Sequence, residues 1–318
     1  ANNYSLSNSE GSVNATIAQR LLTITGSTVT GRDYDGTKAA TVVVGTLNNL
    51  VEGERLGTTT ASGTFADKDA GSNKNVTVAY TLADGLNMTT PGTPPGCTGG
   101  GATLVCTGGT PGTTIAGAKA SNYTLANETL KGSIAQKAVT VSGIMANGKT
   151  YDGNTTATLS NQGTVVTGVS GESLAVSTTG SFNNKNAGAR KVNTTTTIAS
   201  TGDTLASNYS LSNATNSVDA TIAQKSLVIA ATATNKVYDG KSTATATLST
   251  GDLVTDDKVT LNQTAANFVN AQGESDKNVG KAKTVKISGL SLTGDDALNY
   301  KLDNEEAVTL TKADITAK

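Results

Sequence analysis

The chain has 318 residues, of which 24 are basic and 25 acidic, with no His, no Trp and 3% aromatic residues. Because it lacks imidazole, the usual acid/base group near neutral pH and the commonest metal ligand, we expect a non-enzymatic protein without catalytic residues, cofactors or metal sites. Its balanced charge, and its lack of any apolar run of about 20 residues, predict no nucleic-acid partner and no membrane insertion.

Residues 1–20 contain an Asn-Tyr-Ser-Leu motif and close with Ile-Ala-Gln-Arg. Both motifs recur further along the chain, each time near the end of a repeated segment. We therefore interpret residues 1–20 as the terminal strands of a preceding, partial repeat. Two strands cannot close a sandwich alone, so they belong to a longer array or complete a neighbouring molecule by strand addition.

A Tyr-Asp-Gly tripeptide marks three similar segments in the remaining chain. Its copies are Tyr34-Asp35-Gly36, Tyr151-Asp152-Gly153 and Tyr238-Asp239-Gly240. After each copy come a lone Phe, a Lys-containing turn, an Asn-Tyr-x-Leu motif and a closing strand that ends in Lys. Such self-similarity is the signature of repeat architectures. We predict three repeats, over residues 21–137, 138–225 and 226–318.

The Tyr-Asp-Gly copies have two interpretations. A phenol beside a carboxylate suggests a carbohydrate contact or an acid. We favour a tight turn between the first two strands, in which Gly adopts positive φ, Asp bonds the local backbone and Tyr lies at the edge of the core. Three identical catalytic sites without His, metal or a second placed carboxylate would be unexpected.

Other polar residues also recur or cluster in the repeats. Tyr123, Tyr209 and Tyr300 belong to the Asn-Tyr-x-Leu motifs, and we expect each hydroxyl to tie down a neighbouring loop rather than to stack on a ligand. The acidic pairs Asp256-Asp257 and Asp295-Asp296 suggest calcium. Calcium takes about six to eight oxygen ligands, so we expect carboxylates that cap turns instead.

Alternating Thr, Val and Ala residues, separated by frequent turn residues, predict strands throughout each repeat. The fold class that we predict is all-β: a linear tandem array of antiparallel β-sandwich repeats of immunoglobulin-like size, about 90 residues each. A β-solenoid is the alternative, although no period of about 20–30 residues is present. Hardly any residues separate consecutive repeats, so we expect a stiff rod.

The first repeat is longer than the others because of a Gly/Pro-rich loop at residues 84–118. This loop contains all four prolines and both cysteines, Cys97 and Cys106. Without His or further Cys the pair cannot complete a zinc site. We predict a local disulfide, which implies an oxidising compartment, with two unpaired thiols as the alternative. A specific ligand site, if the chain has one, is expected in this loop.

The ordered motifs resemble a known family. Tyr-Asp-Gly-x-x-x-Ala-Thr, then Gly-x-Phe-x-[Asp/Asn]-Lys-[Asp/Asn]-Ala-Gly, then Asn-Tyr-x-Leu and a closing Ile-x-x-[Lys/Arg], is similar to the YDG-type repeat of large filamentous-haemagglutinin-like bacterial surface adhesins exported by two-partner secretion. The resemblance covers the whole chain and implies an extracellular, cell-surface location. It implies a structural or adhesive stalk segment that acts as a stiff spacer in cell–cell or cell–surface attachment.

The expected partners are neighbouring repeats, copies of the chain itself and a host or biofilm surface ligand. The alternative function is a self-assembling fibre subunit that polymerises by strand addition through residues 1–20. Stalk domains of surface proteins sometimes cross-link Lys to Asn or Asp. We therefore consider an isopeptide at Lys68, Lys185 and Lys277, against the default of solvated lysines beside carboxylates.

Overall fold

A computed structural model describes residues 11–86, 88–89, 114–115, 117–303 and 309–318 of the protein. Over these residues the regular structure is strand, apart from the short 3-10 helices Ala120–Asn122, Ala206–Asn208 and Ala297–Asn299. The all-β fold class predicted from the sequence is therefore confirmed. None of the helices in the described ranges is long or apolar enough to traverse a bilayer.

The chain divides into two compact units. The first contains the described residues of Ala1–Ala138 together with the loops Gly168–Glu172 and Leu205–Ser210, and the second contains Val139–Thr167, Ser173–Thr204 and the described residues of Leu211–Lys318. The two loops in the first unit come from the predicted second repeat. The second unit holds most of that repeat and the described residues of the predicted third.

The first unit is built on a six-stranded sheet. In spatial order its strands are Thr28–Thr30, Ala39–Val43, Thr60–Phe65, Gly71–Thr81, Glu128–Ala135 and Arg32–Asp33. The two edge strands are separated in sequence by Gly31 alone, so the sheet nearly closes on itself. A three-stranded sheet consists of Tyr123–Leu125, Arg20–Thr25 and Thr46–Asn48, and a two-stranded one of Met88–Thr89 and Thr114–Ile115.

The second unit contains two four-stranded sheets with the same strand order. The first consists of Lys149–Thr150, Thr215–Ala223, Gly188–Ala199 and Ala175–Phe182, and the second of Lys236–Val237, Thr309–Thr316, Gly280–Ser288 and Ala265–Val269. In both, the first strand lies parallel to its neighbour and the other pairs are antiparallel.

Shorter two-stranded sheets complete the second unit. They pair Val141–Ala146 with Leu159–Val165, Lys225–Leu227 with Tyr300–Leu302, Ala230–Ala233 with Ala246–Ser249, and Thr260–Asn262 with Ser291–Thr293. The strands Lys137–Val139 and Tyr209–Leu211 each include residues of both units.

The core is thin because alternate residues of each central strand face inward and most of them are small. In Gly188–Ala199 the inward positions are Val192, Thr194 and Thr196, all buried. The Thr196 hydroxyl lies 2.9 Å from that of Thr178, and this hydrogen bond offsets the desolvation of both hydroxyls.

One hydrophobic cluster in the second unit includes residues of two predicted repeats. It joins Tyr151, Phe182, Val192 and Ile222 of the second repeat to Leu227 and Tyr300 of the third. Only Gln224 separates the strand Thr215–Ala223 from the strand Lys225–Leu227. The second and third repeats therefore share a continuous apolar core.

Candidate functional site

The three Tyr-Asp-Gly copies adopt the same turn. Gly36, Gly153 and Gly240 have φ of 81°, 80° and 79°, a region that favours glycine. The preceding Asp accepts a hydrogen bond from the backbone N–H two residues further on, at 2.8 Å for Asp35, 3.1 Å for Asp152 and 2.9 Å for Asp239. Each carboxylate also pairs with a cation: Arg32 with Asp35, Lys149 with Asp152, and Lys236 with Asp239.

The tyrosines of these turns differ in exposure. Tyr34 is 1% exposed and Tyr151 is 2% exposed, whereas Tyr238 is 37% exposed. Each backbone N–H donates to the closing strand of its own repeat, at 2.8–2.9 Å, so the backbone position is the same in the three repeats. The difference therefore comes from what covers the ring.

In the first unit, the Glu172 carboxylate accepts hydrogen bonds from two tyrosines and a lysine. Its Oε1 accepts hydrogen bonds from the Tyr34 hydroxyl at 2.6 Å and from Lys68 Nζ at 2.7 Å, and its Oε2 accepts from the Tyr209 hydroxyl at 2.6 Å. The two tyrosine rings meet edge to face, with centroids 5.4 Å apart. We call these four residues the Glu172 cluster.

The protonation states in the Glu172 cluster follow from its geometry. Burial acts to raise the pKa of Glu172, but hydrogen bonds from Lys68, Tyr209 and Tyr34 outweigh it and hold the pKa below its usual value. Burial and the hydrogen bond to Glu172 raise the pKa of Tyr34. Near neutral pH the carboxylate is therefore charged and the Tyr34 phenol remains a hydrogen-bond donor.

The second unit contains the equivalent cluster around Asp257. Its Oδ2 accepts hydrogen bonds from the Tyr151 hydroxyl at 2.9 Å and the Tyr300 hydroxyl at 2.5 Å, and Lys185 Nζ lies 3.7 Å from Oδ1. The tyrosine rings again meet edge to face at 5.4 Å. Burial and the hydrogen bond to Asp257 raise the pKa of Tyr151, and the same causes raise that of Tyr300 to about 12. We call these four residues the Asp257 cluster.

Each central carboxylate belongs to the last residue of a short turn that was not predicted from the sequence. The turns are Val169-Ser-Gly-Glu172 and Val254-Thr-Asp-Asp257, and in each the last N–H donates to the first carbonyl at 3.2 Å. The third residue has positive φ, 75° at Gly171 and 69° at Asp256. We call these tetrapeptides acidic turns. Asp257 belongs to one of the acidic pairs that suggested a calcium site, and here it accepts hydrogen bonds from two tyrosine hydroxyls.

The valine of each acidic turn packs on a Tyr-Asp-Gly glycine. A Cβ placed on Gly36 would lie 2.7 Å from Val169, and one placed on Gly153 would lie 2.7 Å from Val254. A side chain at either glycine would therefore displace the turn, in addition to straining its own backbone. Glycine is required at these positions for packing as well as for turn geometry.

The asparagine of Asn-Tyr-x-Leu makes a further bond in each cluster. Asn208 Oδ1 accepts from the backbone N–H of Ala70 at 2.8 Å, and Asn299 Oδ1 accepts from that of Ala187 at 2.9 Å. Both asparagines are buried, at 1% and 3% exposure. The Lys-containing turn thus contributes its alanine N–H as well as its lysine.

A shared signal in the sequence could have identified the acidic turns. A third copy, Val51-Glu-Gly-Glu54, has the same hydrogen bond, at 3.0 Å, and positive φ at Gly53. The pattern Val-x-[Gly/Asp]-[Glu/Asp] therefore occurs once in each repeat. It is weak because three of its four positions vary and its distance from Tyr-Asp-Gly differs between repeats.

Several predicted features lie outside the described residues. These are Cys97, Cys106, residues 1–10 of the predicted partial repeat and most of the loop 84–118. Among the residues that the structure describes, no group of three or more Asp and Glu is placed to hold a metal ion. Lys68 and Lys185 lie beside carboxylates, and Lys277 lines a polar pocket. The isopeptide at these three lysines stays a prediction, and an intact mass that is low by one ammonia for each Lys–Asn bond, or by one water for each Lys–Asp bond, would reveal it.

The chain matches known proteins at the level of its repeats. The YDG domain matches three times, over residues 18–88, 135–217 and 223–309, which together make up most of the chain. No curated protein sequence matches.

Two matched solved structures are fragments of a Drosophila protein. N-cadherin EC1-4 is 6% identical over 93% of this chain and 75% of that chain, with a TM-score of 0.27. N-cadherin EC1-3 is 8% identical over 60% and 72%, with a TM-score of 0.19. TM-scores this low carry no argument about the present chain. The three matches to the YDG domain together cover most of the chain. The chain therefore belongs to the YDG domain family.

Proposed function

We propose that the chain is an extracellular, non-enzymatic stalk segment of a bacterial surface protein, similar to filamentous-haemagglutinin-like adhesins exported by two-partner secretion. It acts as a stiff spacer in cell–cell or cell–surface attachment. The observation that carries this proposal is the cluster of tyrosines, carboxylate and lysine that forms twice between consecutive YDG repeats. A spacer needs such contacts because a flexible connection would not hold its ends apart.

The clusters use their polar groups internally, which suits a structural role. In the Asp257 cluster, Oδ2 accepts two phenols, and the Tyr300 oxygen also accepts the Val254 N–H at 2.9 Å. The phenols that surround the carboxylate have raised pKa values, and the chain contains no imidazole that could exchange a proton with it. Such a group holds two segments together and is poorly suited to acid/base chemistry.

The shared core of the second unit supports stiffness. Leu227 and Tyr300 of the third repeat pack in one cluster with Tyr151 and Phe182 of the second. Bending there would expose buried aromatic surface and separate the Tyr151 hydroxyl from Asp257. Because aromatic side chains bury large areas, this would cost several kcal/mol, on the order of the loss of one core side chain.

Spin labels test stiffness directly. In a chain with Cys97 and Cys106 replaced by Ser, we place nitroxides at the exposed positions Thr195→Cys and Lys286→Cys, one on each four-stranded sheet of the second unit. We expect a narrow distance distribution, and a broader one after Tyr151→Ala. A broad distribution in the parent chain would contradict a stiff spacer.

Localisation and attachment need cellular tests. In bacteria that express the protein, we expect antibody against the chain to bind intact cells, and external protease to remove the signal. Deletion of the three repeats should reduce attachment even when the remaining protein still reaches the surface. Detection only after cell lysis would exclude a surface stalk.

The predicted disulfide is part of this proposal. An oxidised Cys97–Cys106 pair would resist alkylation until it is reduced, and the mass would then increase by two alkyl groups. Alkylation of both thiols in protein purified from the cell envelope without a reductant would contradict an oxidising location.

A fibre subunit that polymerises through residues 1–20 is the second candidate. Val13 and Ile17 are 91% and 97% exposed, although their counterparts in the second repeat, Val218 and Ile222, pack in its core. Apolar residues of a strand-forming sequence that remain exposed favour addition to another sheet. Deletion of residues 1–18 should abolish any filaments seen by electron microscopy, and filaments that persist would exclude this route.

A further inference from the structure

A single glutamine connects the second repeat to the third. Gln224 is the only residue between the strand Thr215–Ala223, which closes the second repeat, and the strand Lys225–Leu227, which leads into the third. A junction of one residue has few torsion angles that can change. The contacts of Gln224 therefore bear directly on how freely the two repeats can bend.

The side chain of Gln224 is bound to the third repeat. Its Nε2 donates a hydrogen bond to the backbone carbonyl oxygen of Leu298 at 3.0 Å, across 74 residues of the chain. Leu298 is the middle residue of the 3-10 helix Ala297–Asn299, which immediately precedes the strand Tyr300–Leu302. Gln224 thus joins the linker to a structural element of the third repeat.

The same helix also contacts the second repeat. Asn299 Oδ1 accepts a hydrogen bond from the backbone N–H of Ala187, in the Lys-containing turn, at 2.9 Å. The strand that follows the helix lies parallel to Lys225–Leu227. Rotation of the backbone at Gln224 would carry its side-chain amide away from the Leu298 carbonyl, so this hydrogen bond must break before the junction bends.

Glutamines at equivalent positions make the same contact. Gln136 Nε2 donates to the carbonyl oxygen of Ser207, and Gln19 Nε2 donates to that of Ser121, both at 2.9 Å. Each acceptor is again the middle residue of a 3-10 helix. The side chain of the acceptor differs, and Leu298 is 85% exposed, so the glutamine binds a backbone position of the helix.

We propose that Gln224 is a positioning residue that fixes the angle between the second and third repeats, through the N–H that its side chain donates to Leu298. This role rests on the proposed spacer function, and it identifies a residue on which the stiffness depends. The apolar core shared by the two repeats stabilises the fold, whereas the glutamine restricts rotation in the linker.

The energy of this hydrogen bond is small. Gln224 is exposed, so water competes with its amide for the Leu298 carbonyl. Loss of one such neutral hydrogen bond, about 1 kcal/mol, should raise the population of bent junctions roughly fivefold. It should lower the midpoint of urea unfolding much less than Tyr151→Ala does, because the buried cluster around Tyr151 is untouched.

The labelled chain of the stiffness test, with nitroxides at Thr195→Cys and Lys286→Cys, also tests the proposal. We expect a broader distance distribution in Gln224→Met than in the parent, because methionine has the length of glutamine but lacks the donor. Gln224→Arg should restore the narrow distribution. Its Nε–H lies as many bonds from Cα as the glutamine amide N–H does.

Gln272→Met is the matched control. Gln272 is exposed in a turn of the third repeat, so its substitution should leave the distribution narrow. An unchanged distribution in Gln224→Met, equal broadening in Gln272→Met, or no recovery in Gln224→Arg would overturn the proposal. A urea midpoint that falls in Gln224→Met as far as in Tyr151→Ala would also overturn it, since the residue would then support the fold as a whole.

The parent chain separates this proposal from the proposed function. A broad distribution in the parent would refute the stiff spacer, and the role of Gln224 with it. A narrow distribution in both the parent and Gln224→Met would refute the role of Gln224 alone.

Discussion

The Glu172 and Asp257 clusters hold the same pair of tyrosines at the same separation with carboxylates of different length. The ring centroids are 5.4 Å apart in both, and the planes meet at 76° and 77°. The lysine distance differs, at 2.7 Å from Glu172 and 3.7 Å from Asp257. The two phenol hydrogen bonds are thus common to both clusters, and the lysine contact depends on one methylene group.

The largest effects should come from the tyrosine rings. Tyr151→Ala should lower the free energy of unfolding by about 3–5 kcal/mol, because it leaves a cavity at a position that is 2% exposed. Tyr34→Ala should lower the free energy of unfolding by a similar amount if the two clusters are equivalent. Tyr238→Ala, at 37% exposure, is the control and should cost about 1 kcal/mol or less. Urea unfolding followed by circular dichroism measures all three, and equal losses at Tyr151 and Tyr238 would show that covering the ring contributes little.

Replacement of each central carboxylate by its neutral amide should destabilise the two clusters by different amounts. In Glu172 each oxygen accepts from a different tyrosine, so Glu172→Gln places an amide N–H₂ opposite one phenol. In Asp257 one oxygen, Oδ2, accepts both phenols and Oδ1 accepts only a longer hydrogen bond of 3.2 Å from Tyr151, so the amide oxygen of Asp257→Asn can replace Oδ2. We expect losses of about 2 kcal/mol for Glu172→Gln and about 1 kcal/mol for Asp257→Asn in the same urea assay. The reverse order would mean that side-chain length matters more than the number of accepting oxygens.

Acid should weaken the Glu172 cluster in a predictable direction. The pKa of Glu172 in the folded protein is lower than its usual value of 4.5, so its contribution to stability is present above that pH and is lost as the pH falls through the lower, folded value. The stability difference between the parent chain and Glu172→Gln should therefore narrow below about pH 4.5. Thermal unfolding at a series of pH values measures it, and a constant difference down to low pH would contradict the charge-assisted hydrogen bonds.

The smallest effects should come from the lysines. Lys68→Met should lower the midpoint of thermal unfolding slightly, and Lys185→Met less, because the Lys185 ammonium lies farther from its carboxylate. Both side chains are partly exposed, so water and salt screen the pairs. The difference between the variants should disappear in molar salt. A persistent difference would indicate that the Lys68 stem contributes by packing on Tyr34 rather than by charge.

The sequence alone predicted the all-β class and the three YDG copies, because both depend on local patterns. Alternation of small apolar and polar residues needs only neighbouring positions, and the Tyr-Asp-Gly turn needs one glycine at positive φ. The buried threonines were harder to anticipate. Thr178 and Thr196 look like surface residues until the pairing of their strands brings the two hydroxyls together.

The partners of the tyrosines could not be predicted because they are distant in the chain. Tyr34 and Glu172 are separated by 138 residues, and Tyr151 and Asp257 by 106. Glu172 and Asp257 occupy equivalent positions with different side chains, and Gly171 and Asp256 share a positive φ without sharing a side chain. The acidic turns share a backbone conformation more closely than a sequence. Their sequence pattern is weak, and it could be recognised only after the structure showed two of the turns packed on the Tyr-Asp-Gly glycines.

The parallel strand pair at the ends of each repeat has a mechanical consequence. In the third repeat, Lys236–Val237 near the beginning lies parallel to Ile315–Thr316 near the end. A pull on the two ends of the repeat would slide these strands past each other and load their hydrogen bonds together, rather than opening them one at a time. Because forced unfolding is governed by the unfolding rate, the chain should resist tension more than its thin core suggests. These few backbone bonds would then carry the tension together with those that join Lys225–Leu227 to Tyr300–Leu302.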